Sequence, residues 1–192
     1  MVVLALPRGG APVAYEVARS LGAAKDVFLV RKLGVPWQEE LAFGAIASGG
    51  TKVIDAPLVR ELGLSHSDIQ AITAREQMEL ERRERAYRDG RPAVDVRSRI
   101  AILVDDGLAT GSSMLAAVRA LRTLAPARIV VGVPVAPQNT CERLRSEADE
   151  VVCAYTPEPF WAVGAWYEDF TQTTDEEVRW LLAQAEVAHQ MP

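Results

Sequence analysis

Short apolar runs alternate along the chain with stretches of helical periodicity. This is the signature of strands buried on both faces and separated by covering helices. Val2 to Leu6 forms the first run and ends at a Gly pair. Pro12 sits where a first-turn proline would, Val13, Val17 and Leu21 mark one helical face, and Gly22 closes the helix. Val27 to Val30 reads as a second strand. From Lys32 to about Arg99 the rhythm is lost: Gly34 to Gly50 mixes Gly, Pro and polar residues, and Lys52 to Ile54 suggests a short strand. Ser65 to Arg88 reads as a long polar helix. Between Arg75 and Arg91 six Arg stand against five Asp or Glu, a pattern that suits a solvated, self-compensating face.

Alternation resumes at Ile100 to Val104, the most strand-like run of the chain. A helix carrying Met114, Val118 and Leu121 follows, then a strand at Ile129 to Val135 and a helix carrying Cys141, Leu144 and Ala148. Val151 to Ala154 forms the last strand of the series. The tail predicts a helix opened by a capping box, Thr174 with Glu177, and continued by Val178, Leu181, Leu182 and Ala185. Together these elements predict an α/β fold with a doubly wound parallel sheet, and one domain over residues 1–192. Its core occupies about 1–154 and a small C-terminal hood about 155–192.

The 192 residues are 49% hydrophobic and 24% charged, enough for a sizeable core, and the net charge of -5 argues against nucleic acid as the main partner. No apolar stretch reaches the roughly 20 residues that span a bilayer. The opening run goes straight into Pro7-Arg8-Gly9-Gly10 without a signal-peptide pattern, so the expected compartment is the cytoplasm. Cys141 and Cys153 lack the spacing of a zinc site or redox pair and are expected to be reduced.

The chemistry concentrates in Ile100-Ala101-Ile102-Leu103-Val104-Asp105-Asp106-Gly107-Leu108-Ala109-Thr110-Gly111-Ser112-Ser113. A buried strand delivers two adjacent carboxylates to its C-terminal end, and a short loop then enters a helix. Free amides at that helix start form an anion site. Gly111 permits close backbone approach, and Thr110, Ser112 and Ser113 add hydroxyl donors. Asp105 and Asp106 can accept hydrogen bonds from vicinal ribose hydroxyls while a 5-phosphate sits in the loop.

This segment resembles the 5-phosphoribosyl 1-diphosphate (PRPP) motif of type I phosphoribosyltransferases, with Ser113 where Thr is commoner. The resemblance implies that Asp105 and Asp106 hold the ribose hydroxyls and that Ala109, Thr110, Gly111, Ser112 and Ser113 hold the 5-phosphate. Leu6-Pro7-Arg8-Gly9-Gly10 resembles the family's diphosphate loop, which implies contacts from Arg8, Gly9 and Gly10 and a cis peptide near Arg8. The implied strand order is 2-1-3-4-5, with Ile100 to Val104 as the third strand, so both loops face one crevice at a topological switch point. Lys32 either contacts diphosphate or marks the polar end of its strand, and Arg31 is a weaker candidate of the same kind.

Val30-Arg31-Lys32-Leu33-Gly34 and Phe160-Trp161-Ala162-Val163-Gly164 look like a group of bacterial phosphoribosyltransferase-like proteins. Those usually have a helix before the first strand, whereas this chain opens at that strand, so either a truncated start or a missing hood piece is expected. The implied activity transfers phosphoribose from PRPP to a nitrogen nucleophile, with Mg2+ held through PRPP and water and no dedicated protein metal cage. A small-molecule acceptor and a homodimer are implied as partners. Ala109 stands where 6-oxopurine enzymes carry Asp, which disfavours hypoxanthine and guanine; adenine enzymes carry Ala there, as do other subfamilies.

Half of the aromatic residues, Tyr155, Phe160, Trp161, Trp166, Tyr167 and Phe170, fall in the hood, and Phe160 or Trp161 is the candidate for stacking on a base. Glu39 and Glu40 are either solvated carboxylates or a source of general acid or base. His66 and His189 lie in no motif. A PRPP-sensing regulator without transfer chemistry is the alternative reading. Triphosphatase and dinucleotide sites are disfavoured because neither glycine-rich signature is present.

Overall fold

The computed structural model describes residues 1–184. Five parallel strands form the main sheet: β1 (Val2–Ala5), β2 (Ala24–Val27), β6 (Ile100–Val104), β7 (Arg128–Val135) and β8 (Glu150–Tyr155), in the order β2-β1-β6-β7-β8. Counting only core strands, this is the expected 2-1-3-4-5. Alternate side chains feed opposite faces. Val2, Leu4, Ala101, Leu103, Ile129 and Val131 join one buried cluster with α4 (Ser112–Arg122) and α5 (Gln138–Leu144). Val3, Ala5 and Val104 join another with α1 (Gly10–Leu21), α3 (His66–Arg88) and α6 (Asp175–Ala183). Met114, Val118 and Leu121 are fully buried on α4, each stabilising the fold by about 1.5–3 kcal/mol.

The second strand begins three residues before its expected start and ends at Val27. The expected run to Val30 straddles a break, because Val30 already opens a second sheet. That sheet is antiparallel: β3 (Val30–Val35), β4 (Gln38–Ala47) and β5 (Thr51–Ile54). The Gly- and Pro-rich stretch is therefore ordered as hairpins rather than irregular. Phe43 and Ile46 anchor it in the core, and register shifts at Leu33, Gly34 and Val35 blur the alternation that would have revealed it.

Helix α1 begins at Gly10 rather than Pro12, and it buries Ala11, Ala14 and Ala18. Val13 and Val17 are only partly buried and Leu21 is exposed, so the expected face is rotated. Alanines let the helix approach the sheet closely, while the valines lie to its side. The short α2 (Ala56–Glu61) is capped by Asp55, and α3 carries a capping box from Ser65 and Asp68. Its polar run is largely self-paired, through Glu79 with Arg82 and Arg83, but Arg88 is buried against Asp26 and ties the helix end to β2. The expected capping box of Thr174 and Glu177 opens α6; Ala185 and His189 lie outside the described residues.

Cys141 and Cys153 form a disulfide, contrary to the reduced pair expected from their spacing. Helix α5 lies against β8, which brings the two Cα atoms to 6.7 Å, within bridging range although 12 residues separate them in sequence.

Candidate active site

The parallel pairing of β1 with β6 puts the ends of both strands side by side, so the turns that leave them meet. The contact is tight. A Cβ on Gly9 would lie 1.7 Å from Asp106 Oδ2, and one on Gly10 would lie 2.6 Å from the Val104 carbonyl oxygen. Only glycines let the Arg8 turn sit directly on the acidic pair. The Pro7–Arg8 peptide is cis, as expected near Arg8.

Asp105 and Asp106 are partly buried side by side, and Asp105 Oδ1 accepts the Asp106 amide at 2.9 Å. Burial, then the neighbouring Asp106 charge, pushes the Asp105 carboxyl up to about 8, and burial raises Asp106 as well. No arginine pairs with either carboxylate among the described residues. The pair is electrostatically unsatisfied, an arrangement suited to hydroxyl donors or to a cation.

The following loop enters α4 through Gly111, whose φ of 68° is the left-handed conformation that glycine adopts freely. Helix α5 holds the loop from outside: the Thr140 hydroxyl donates to the Ala109 carbonyl at 2.9 Å, and the Arg143 guanidinium donates to that of Thr110. With its carbonyls engaged there, the loop keeps amides for a ligand. Among the described residues no acceptor takes those of Ala109, Thr110, Gly111 or Ser113. Lys32 Nζ reaches Ser112 Oγ at 3.3 Å, at the start of α4. Arg31 is bound to Glu76 at 2.5 Å.

A cleft of about 720 Å³ opens between the Arg8 turn and the hood, lined by Arg8, Gly9, Asp106, Tyr167, Phe170 and neighbouring hood residues. Ser112 and Lys32 instead line a separate hollow of about 370 Å³ between α4 and the small sheet. The hood closes on the acidic turn at two points. The Tyr167 hydroxyl donates to the Asp106 carbonyl at 2.5 Å, and Val163 packs where a side chain on Gly107 would stand. Tyr167 and Phe170 form a tilted ring pair, centroids 5.1 Å apart. Trp161 is 80% exposed, Phe160 is half-buried, and neither lines these two clefts. Glu39 and Glu40 lie in β4. Sequence reasoning missed Tyr167, Thr140 and Arg143 as site residues, since each acts on a backbone carbonyl and belongs to no motif. Tyr167 stood out only as one of the hood aromatics.

A doubly wound sheet that carries an adjacent acidic pair and a glycine-containing loop at its switch point has the arrangement of the phosphoribosyltransferase fold. The phosphoribosyl transferase domain model matches residues 1–169, and the chain belongs to that family. Two proteins of Mycobacterium tuberculosis, from strains CDC 1551 and H37Rv, bear phosphoribosyl transferase as a provisional name; each is 48% identical over 178 residues. Those matches cover 93% of this chain but only 40% of either relative's length. The crystal structure of TT1426 from Thermus thermophilus superposes with a TM-score of 0.86 at 46% identity, covering 94% of this chain and 86% of that one.

Proposed function

We propose that the chain transfers the 5-phosphoribosyl group of PRPP to a nitrogen nucleophile of a small molecule, with a nucleobase as the leading class, and releases diphosphate. The observation that carries this reading is the contact of Gly9 with Asp106, which joins a basic, glycine-rich turn to an unsatisfied acid pair. In this reading the core of about 1–154 and the hood of about 155–192 act as one domain.

Asp105 and Asp106 accept the two ribose hydroxyls, which relieves the repulsion between the carboxylates. The amides and hydroxyls of the loop from Ala109 to Ser113 hold the 5-phosphate, with Lys32 supplying a cation beside Ser112. Arg8 and the Gly9 amide hold the diphosphate, while Gly10, whose own amide donates to the Leu6 carbonyl at 3.1 Å, contributes by letting the turn approach β6 closely. The C1–O bond to diphosphate then breaks, diphosphate leaves with the electron pair, and the acceptor nitrogen bonds C1 and gives up its proton. Because the transition state places positive charge on the ribose ring, the neighbouring carboxylates stabilise it.

Among the described residues no group of three or more His, Cys, Asp or Glu side chains gathers as a metal cage. The unsatisfied pair fits a magnesium ion brought in with PRPP, which would neutralise charge on the departing diphosphate. The hood supplies the acceptor side: Tyr167 and Phe170 line the cleft there, with Phe160 or Trp161 available for stacking if the hood closes further.

The test is a titration with PRPP and Mg2+ followed by a diphosphate-release assay across nucleobases and amines. Tight binding with release for one acceptor class supports transfer. Tight binding with no release across a broad panel favours a PRPP sensor, and absence of binding contradicts both.

A further inference from the structure

Asp175 is the first residue of α6, and it reaches back to the Arg8 turn. Its Oδ1 lies 3.7 Å from Arg8 Nη1 and accepts the Tyr87 hydroxyl at 2.9 Å. The two contacts differ in kind. The Arg8–Asp175 pair is partly exposed and loose, a class of ion pair that adds little to stability on its own. Tyr87 is 2% exposed and comes from the far end of α3, so the carboxylate is fixed from inside the protein. Two elements distant in sequence, α3 and α6, therefore meet beside the guanidinium of the turn that abuts Asp106, α6 through Asp175 and α3 through Tyr87 behind it.

We infer that Asp175, buttressed by Tyr87, is a positioning residue that holds the Arg8 guanidinium ready for the diphosphate of the incoming ligand. The inference rests on the reading of the Arg8 turn as the diphosphate site. An arginine side chain loses considerable rotamer freedom when it is fixed, and a partner that restrains it beforehand lowers that cost at binding. A carboxylate here also repels diphosphate, so the sign of its effect depends on how far its charge is offset. Two features offset it: the Tyr87 hydroxyl donates to it, and it sits in the first turn of α6, at the positive end of that helix. Burial and Asp175 push the Tyr87 phenol up to about 12, so it remains a donor throughout the working pH range. For the positioning role, restraint of Arg8 must outweigh repulsion of the ligand, and the affinity of the Asp175 variant reads that balance directly.

The experiment is a double-mutant cycle read by calorimetry with PRPP and Mg2+, alongside ribose 5-phosphate, which lacks the diphosphate. Asp175→Asn weakens PRPP binding by about threefold to tenfold, the range expected for directly coupled groups, and leaves ribose 5-phosphate binding unchanged. Tyr87→Phe acts in the same direction and less strongly. In an Arg8→Ala background Asp175→Asn has no further effect. An unchanged or tightened PRPP affinity in Asp175→Asn, or a loss that persists without Arg8, overturns the positioning role. If Arg8→Ala alone leaves PRPP affinity intact, the fault lies with the diphosphate-site assignment. Retained ribose 5-phosphate binding shows that each variant is folded.

Discussion

Two adjacent glycines, changed one at a time to alanine, separate the chemistry of the acidic turn from its packing. At Gly9 the new methyl would sit 1.7 Å from Asp106 Oδ2 and 2.5 Å from its Cγ, but both atoms belong to a side chain. Relief requires the carboxylate to move by about 2 Å to reach normal contact near 3.5 Å, which a change of rotamer provides. The fold then loses about 1 kcal/mol. The displaced carboxylate no longer meets the ribose diol, and loss of a hydrogen bond to a charged group costs about 1.5–3 kcal/mol, roughly tenfold to more than hundredfold in affinity. At Gly10 the methyl would meet backbone, 2.6 Å from the Val104 carbonyl oxygen and 3.0 Å from Asp105 Cα, at the C-terminal end of the β1–β6 pairing, where that carbonyl already accepts the Leu6 amide. No rotamer relieves that contact, and the cost falls on stability, about 1–3 kcal/mol or more. Chemical denaturation and PRPP calorimetry on both variants provide the assay. A folded Gly9→Ala protein that binds PRPP as the wild type does, or one destabilised more than Gly10→Ala, refutes the reasoning.

Asp105→Asn should stabilise the ligand-free protein while weakening PRPP binding. The folded carboxyl sits at about 8 against an ordinary 3.8, so the folded state binds the proton more tightly and wild-type stability falls as pH rises from about 4 to 8. The neutral variant escapes this loss, most at pH 8 and progressively less toward pH 4, in denaturation midpoints measured across that range. A variant less stable than wild type at pH 8 contradicts the raised carboxyl. Lys32→Ala should weaken ribose 5-phosphate binding by about threefold to tenfold, more at low salt, since its ammonium lies 3.3 Å from Ser112 Oγ. A ribose 5-phosphate titration that shows no change removes Lys32 from the anion site.

What could be read from the sequence was whatever the chain keeps local. The strand from Ile100 to Val104, its two carboxylates and the loop into α4 occupy one contiguous segment, so residue order alone exposes their chemistry. The turn at Arg8 and the strand order came from the family resemblance rather than from the apolar pattern, and the sheet has the implied order. Tertiary contacts were less legible. The hairpins β3–β4–β5 hid among glycines and register shifts, and α1 turned its alanines inward because close approach to the sheet outweighed the larger apolar side chains. Thr140 and Arg143 hold the loop into α4 from about 30 residues away, and Tyr167 reaches the Asp106 carbonyl from the C-terminal segment; none of these contacts leaves a periodic trace. The bridge between Cys141 and Cys153 was obscured likewise, since it depends on where α5 meets β8.

Calorimetric titration of PRPP with Mg2+ into the wild type and into an Asp105→Ala, Asp106→Ala double variant tests the central claim most directly. The wild type binds and the folded double variant does not. Equal affinity in the two proteins, with folding verified by thermal melts, contradicts the assignment of this corner to phosphoribose.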